Sequence, residues 1–420
     1  MAIFLPAYAP WRRLERQIRH VQNRRNGLII TPSRRIECVA PPGERVVAMT
    51  FDGGPTVLPC EPDTENGRAL TELLLDELVE FGARGTFNII GSTEENYPDE
   101  PGEVGTQHVF GKKYDHIAAF GLDDMAGAKA CPELLRRIAR EGHELSNFTY
   151  RHLPFGKSSL VYGSRAHVRG LDEAVNDLKR LHELVYKHTR QEMRFMRPPF
   201  YIDKMADGHN AFDACEVMGY HYLAASIDGG GYLPSCGDFD SDVQNMVRPL
   251  REALERDVSC LAGHIISLRD GYSLSMLTPV AKALRQILEL LYSHGYRVLS
   301  AGELLERSPF EDVRPSGNCF VAARELDKAG FTTGFRNNRF YPEREMTKRE
   351  LPMVFSLPNS KQQGEKQHGI EIARNDTVTV KAVMTYADSV FMRTNGKPMS
   401  VKRGDVAIWL HDLACLNGFC

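Results

Sequence analysis

The sequence predicts an α/β protein: a distorted (β/α)7-type barrel with a small, mostly helical C-terminal domain. Apolar strand-like runs alternate with helix-period segments from about residue 46 to about residue 305, an order that implies parallel βα units. About seven such units suggest a barrel rather than an open sheet. After about residue 308 the alternation stops.

In order, the strand candidates are Val46 to Phe51, Thr86 to Ile90, His143 to Ser146, Arg194 to Met196, Tyr222 to Ile227, Ser259 to Gly263 and Tyr296 to Leu299. Helix candidates lie between them. Leu70-Leu73-Leu74-Leu78 and Leu171-Val175-Leu178-Leu181-Leu184-Val185 recur at three- and four-residue steps, as one face of a helix requires. Functional residues of parallel barrels collect at the C-terminal strand ends. Asp52, Asn147, Arg197, Asp228 and His264 lie at or just past such ends and are expected to converge. The expected organisation is an extension over 1–44, a barrel over 45–307 with an insertion at 92–131, and a last domain over 308–420.

At 420 residues with 42% hydrophobic content, the chain can fill a barrel core and a smaller second one. A net charge of -3 shows no basic excess of the kind a nucleic-acid partner needs, Arg12 to Arg25 being a local exception. The 9 cysteines show no CxxC pair or regular spacing, which suits reduced thiols better than a disulfide framework or a cysteine zinc site. No apolar run approaches membrane-spanning length. Met1 to Trp11 places its apolar stretch before Arg12 and Arg13, the reverse of a secretory signal, so the default expectation is a cytoplasmic protein.

The motifs are Met49-Thr50-Phe51-Asp52-Gly53-Gly54-Pro55, Gly85-Thr86-Phe87-Asn88-Ile89-Ile90-Gly91, Ser146-Asn147-Phe148-Thr149-Tyr150-Arg151-His152, Arg197-Pro198-Pro199-Phe200, Asp228-Gly229-Gly230-Gly231-Tyr232 and Leu261-Ala262-Gly263-His264. In sequence and order this set resembles the polysaccharide deacetylases, the NodB-homology fold of carbohydrate esterase family 4, over roughly residues 45–305. The resemblance implies a hydrolase that removes N-acetyl groups from amino-sugar polymers, peptidoglycan-type substrates included, by metal-assisted acid/base catalysis. It gives Asp52 the role of general base, His264 that of general acid, Arg197 that of orienting Asp52, and Asp228 a supporting role. Phe200, Tyr201 and Tyr232 would line the substrate groove, and His152 would be a metal ligand.

The same resemblance shows departures. Gly53 stands for a ligand aspartate, Phe148 for a ligand histidine, Gly231 for the carboxylate that tunes the acid, and Ala262 for a bulky groove wall. A catalytic zinc normally has three protein ligands, and His152 alone remains of the expected trio. A zinc-type divalent metal is therefore an open expectation. His108, Asp115 and His116 of the insertion are an alternative ligand source, beside the plain reading of that segment as a solvated acidic loop. Plainer readings also stand for the retained residues: Asp52 as turn chemistry next to Gly and Pro, Arg197 as a structural ion-pair residue, His264 as a core histidine.

Beyond residue 308, Pro309-Phe310-Glu311-Asp312-Val313, Ala322 to Phe331, Arg339-Phe340-Tyr341-Pro342 and Met346 to Leu351 resemble one S-layer-homology repeat, and Val401 to Leu410 the closing helix of a second. That resemblance implies attachment to a cell-wall polymer; Thr347 and Arg403 also read as helix-start chemistry. Two function classes follow: a deacetylase-type hydrolase with altered metal ligands, or an inactive deacetylase fold that binds carbohydrate or wall polymer.

Overall fold

The computed structural model describes residues 31, 33–60, 67–95, 125–156, 166–229, 238–271, 277–328, 334–346 and 401–416. The chain divides into two compact units. One includes Arg35–Cys38 and Glu44–Leu304; the other includes Val39–Gly43 and Leu305–Cys420.

The first unit is built on a parallel sheet whose strands are β1 (Arg35–Ile36), β2 (Val46–Asp52), β3 (Thr86–Ile89), β4 (Glu144–Asn147), β5 (Phe195–Met196), β6 (His221–Leu223), β7 (Ile227–Asp228), β8 (Ile265–Arg269) and β9 (Arg297–Leu299). They run in the order β1-β6-β5-β4-β3-β2-β8-β7, with β9 also on β2. On one side β2 pairs with β3; on the other, β9 takes Val46 to Ala48 and β8 takes Ala48 to Asp52. A bridge between Cys38, just past β1, and His264, just before β8, joins the two edge regions of the sheet. The sheet thus curls into a distorted barrel.

Helices α1 (Leu70–Glu80), α2 (Pro132–Arg140), α3 (Leu171–Thr189), α4 (Ala211–Met218), α5 (Phe239–Arg256) and α6 (Val280–Ser293) fall between the strands, and α7 (Ala301–Arg307) follows β9. Strand alternation separates two environments. Val47, Met49 and Phe51 of β2 join Leu70, Leu74 and Leu78 of α1 in the main apolar core, where Phe51 and Phe87 stack at 4.8 Å. Burial of each such side chain contributes about 1.5–3 kcal/mol. Thr50 and Asp52, on the opposite face of β2, make polar contacts inside the barrel.

Two strand expectations need correction. Tyr222 to Ile227 is not one strand but β6 and β7 with a break at Ala224 to Ser226. Ser259 to Gly263 is a turn, with Gly263 at φ +80°, and the strand begins after it at Ile265. The apolar pair Leu261-Ala262 is buried in the core although it lies in the turn, so hydrophobicity placed the strand one step too early.

In the second unit, α8 (Phe320–Lys328) and α9 (Arg403–Leu416) share a small core: Phe320, Ala323 and Leu326 pack with Val406, Ala407 and Leu410, together with Phe310 and Phe340. An antiparallel pair, β10 (Glu345–Met346) with β11 (Val401–Lys402), leads into α9. Arg403, at the start of α9, is buried with its guanidinium 4.7 Å from the Phe335 ring and 4.4 Å from the Phe340 ring. Thr347 lies outside the described residues.

Candidate active site

Asp52 ends β2 at the C-terminal mouth of the barrel and is 3% exposed. Its carboxylate accepts from Arg197 Nη1 at 2.6 Å, from Asn88 Nδ2 at 2.6 Å and from Ser267 Oγ at 3.3 Å. Arg197, which follows β5 and is 1% exposed, also donates from Nη2 to Thr50 Oγ1 and from Nε to the Leu223 carbonyl. Residues from β2, β3, β6, β8 and the end of β5 therefore hold one buried ion pair. A guanidinium suits this place because its donors are fixed in a planar fork and it stays charged when desolvated.

The turn after Asp52 explains its glycines. Gly53 sits at φ +102°, a conformation that residues with a side chain rarely adopt. Gly54 lies against the Asp270 carboxyl so closely that a Cβ would stand 1.8 Å from Asp270 Oδ2. Gly54→Ala is expected to cost about 1–3 kcal/mol through this overpacking, read by urea unfolding. Asp270→Ala on the same background is expected to recover part of that loss, which an effect confined to the turn's own backbone would not show.

Strained residues mark the neighbouring loops. Thr149 and His152 after β4, and Phe200 and Tyr201 after β5, all have positive φ, between 51° and 69°. Each costs about 1–3 kcal/mol, and such strain concentrates at functional sites. The His152 ring packs edge-on to Phe148 at 4.5 Å and lies 5.5 Å from the Phe200 ring. Tyr201 is 39% exposed, with the Arg197 guanidinium 5.7 Å from its ring. Burial of its surroundings raises its hydroxyl pKa, as do the neighbouring carboxylates of Asp52 and Asp228, against the opposing pull of Arg197. Asp228 is exposed at the end of β7, opposite Ser267 of β8.

The structure does not bring all the predicted residues together. His264 precedes β8: its carbonyl accepts from Ala48 N–H, four residues before Asp52 on β2, or about 13 Å along the strand at roughly 3.3 Å per residue. It belongs to the N-terminal end of the barrel, so its assignment as the general acid beside Asp52 is overturned. There it bonds Ser226 Oγ through Nδ1 at 2.9 Å, and burial lowers its pKa to about 4, which leaves it neutral near pH 7. The β8 residue opposite Asp52 is instead Arg269. Asn147 does end β4, but its amide turns to the Leu178 carbonyl of α3. Tyr232, Gly231, His108, Asp115 and His116 lie outside the described residues.

The metal expectation meets the same geometry. Among the described residues no group of three or more His, Cys, Asp or Glu side chains is placed to hold a metal ion. Phe148 is buried with Ile90 and Ala126 in a small apolar cluster, and the Asp52 carboxylate is engaged by Arg197 and Asn88. The described residues do not fit a zinc-type site. Sequence reasoning also missed Asn88, Ser267 and Asp270. The first two were legible as polar residues on the inward-facing positions of buried strands, and Asp270 as a carboxyl just past a strand end.

The buried acid–guanidinium pair lies at the C-terminal mouth of a parallel α/β barrel, the end at which such barrels carry their functional residues. Residues 40–205 match the family model for polysaccharide deacetylase. Homologues in that family are hydrolases that act on carbon–nitrogen bonds. The chain is 23% identical over 278 residues to a peptidoglycan-N-acetylglucosamine deacetylase of Bacillus cereus, covering 66% of this chain and 95% of that protein. Similar solved structures include the chitin deacetylase of Colletotrichum lindemuthianum, with a TM-score of 0.44, 19% identity and coverage of 65% and 91% of the two chains. A carbohydrate esterase family 4 pseudoenzyme from Bacillus anthracis has a TM-score of 0.42, 14% identity and coverage of 66% and 70%.

Proposed function

We propose that this protein is a hydrolase that removes N-acetyl groups from amino-sugar polymers of the peptidoglycan or chitin kind, with the usual metal ligands replaced so that turnover does not depend on a bound metal, and with Asp52 as the carboxylate that accepts a proton from the attacking water. The buried Asp52–Arg197 pair at the barrel mouth supports this reading, because holding a desolvated carboxylate in one orientation is what a general base needs. Arg197 and Asn88 orient it; Phe200 and Tyr201 offer aromatic surface to a sugar. A positioned base contributes about 10²- to 10⁴-fold, so turnover is expected to be slow.

A second reading, carbohydrate binding without hydrolysis, is favoured by Phe148 in its apolar cluster and by Arg269 opposite Asp52. One experiment separates the two. Acetate release from N-acetylglucosamine oligomers is measured for the parent and Asp52→Asn, before and after dialysis against chelator, with calorimetric binding alongside. The hydrolase reading expects release that falls by about 10²-fold or more in Asp52→Asn and holds within about twofold after chelation. Binding without release establishes the second reading. Release that needs metal overturns the altered site and directs attention to residues 92–131.

We also propose, from the S-layer-homology resemblance, that residues 308–420 attach the protein to a cell-wall polymer and that it works at the wall. The shared core of α8 and α9 is consistent with helical repeats that complete one another. Co-sedimentation of the whole protein with purified walls tests this; failure to sediment counts against it.

A further inference from the structure

We propose that Asp270 is a positioning residue that holds the Asp52 turn in its working geometry while its carboxyl is neutral and loosens it when ionised. The inference rests on the hydrolase reading only for its effect on turnover. Asp270 follows β8, is fully buried, and touches the turn twice. Its N–H donates to the Asp52 carbonyl at 2.9 Å, and its carboxyl lies against Gly54.

From the other side, Thr71 of α1 donates through Oγ1 to the carboxyl, at 2.8 Å to Oδ1 and 2.7 Å to Oδ2. The same hydroxyl accepts from Thr56 N–H at 2.7 Å, so Thr71 ties the carboxyl to the far end of the turn. On the opposite flank β3 clamps the turn through Gly53 N–H to the Asn88 carbonyl and Ile90 N–H to the Gly54 carbonyl. Asp270 thus supplies one half of a clamp around the segment that carries the base.

The carboxyl has an unusual setting for a buried acid, since among the described residues Thr71 is its only side-chain hydrogen-bond partner and no cation pairs with it. The groups facing it are Thr71 from α1 and, from the β2 turn, Gly54 and the backbone of Asp52, whose own carboxylate is engaged by Arg197; its chain neighbour Arg269 lies on the strand face shared with Ser267. Burial raises its pKa to about 7, with the Thr71 hydrogen bond opposing part of the rise. Ionisation therefore falls in the neutral range, where a bare charge against Gly54 disfavours the packed turn.

The test follows intrinsic-rate-corrected hydrogen exchange at the amides of Gly53, Ile90 and Asp270, and kcat/KM on N-acetylglucosamine oligomers, from pH 6 to pH 8. In the parent, protection and kcat/KM should each fall about tenfold, the change in neutral fraction across a single titration near 7. Asp270→Asn should flatten both profiles to within about twofold. Thr71→Val, which removes the opposing hydrogen bond, should move the fall to higher pH; a merely structural role would leave the midpoint in place. Identical pH profiles in the parent and both variants overturn the proposal. If no protein turns over the oligomers, the hydrolase reading fails on its own, and the exchange profiles still decide the role of Asp270.

Discussion

Arg197→Met is expected to destabilise the protein by about 3–5 kcal/mol, the cost of leaving a buried carboxylate without its partner. Asp52 is 3% exposed and Arg197 1%, so neither charge recovers hydration when the other is removed. Asn88 and Ser267 would remain as hydrogen-bond donors to Asp52, but neither carries charge. Urea unfolding of Arg197→Met, Asp52→Asn and the double variant measures the coupling. The double variant is expected to be clearly more stable than Arg197→Met alone, because the uncompensated charge is then gone. Equal stability of parent and Arg197→Met would show that the pair is not buried as described. Arg197→Met is also expected to lose acetate release beyond its stability loss, since Asp52 then lacks the charged donor that fixes its orientation.

The second large effect is a pH-dependent gain of stability in Asp270→Asn. The sign follows from proton counting. Asp270 titrates at about 7 in the folded chain against an ordinary value of 3.8, so between those values the folded state holds a proton that the unfolded state has lost. Its contribution to stability is greatest below about pH 4 and is lost as pH rises to about 7. A shift of about 3 units corresponds to roughly 4 kcal/mol as an upper figure. Replacing the carboxyl with a neutral amide removes that loss. Asp270→Asn should therefore be more stable than the parent at pH 8 by up to a few kcal/mol, with the advantage shrinking toward pH 4. Urea midpoints at pH 4.5, 6 and 8 check it. An advantage independent of pH would place the cause in packing rather than ionisation. The comparison must be made within the pair of proteins, because His143 and His264, both lowered to about 4 by burial, push parent stability the opposite way below about pH 6.5.

Local pattern alone carried the α/β alternation, β2 with its acidic end, the helices at Leu70 and Leu171, and the motif set with its glycine at 53. Each of these depends on neighbours within a few residues: the 3.6-residue apolar step of α1 and α3, or the apolar run and turn chemistry of Val46 to Pro55. The pairing of Asp52 with Arg197, 145 residues apart, was inferred from the resemblance, and its hydrogen-bonded geometry came from the fold.

What the tertiary structure decided is the register of β8. Leu261-Ala262 is as apolar as the strand that follows, and hydrophobicity reports burial without saying whether a buried segment is strand or turn. The positive φ of Gly263 and the pairing of Ala48 with Ile265 settle it, and they move His264 to the end of the barrel away from Asp52. Because a strand advances about 3.3 Å per residue, reading the β8 strand a few residues too early exchanges a histidine for Arg269 at the mouth. Asp270 was invisible for a related reason. Its significance comes from Thr71 and Gly54, 199 residues away for Thr71, and from a burial that no local pattern records. The sequence alone thus determined which residues carry chemistry at most strand ends; only the pairing of distant strands determined which of them share a site.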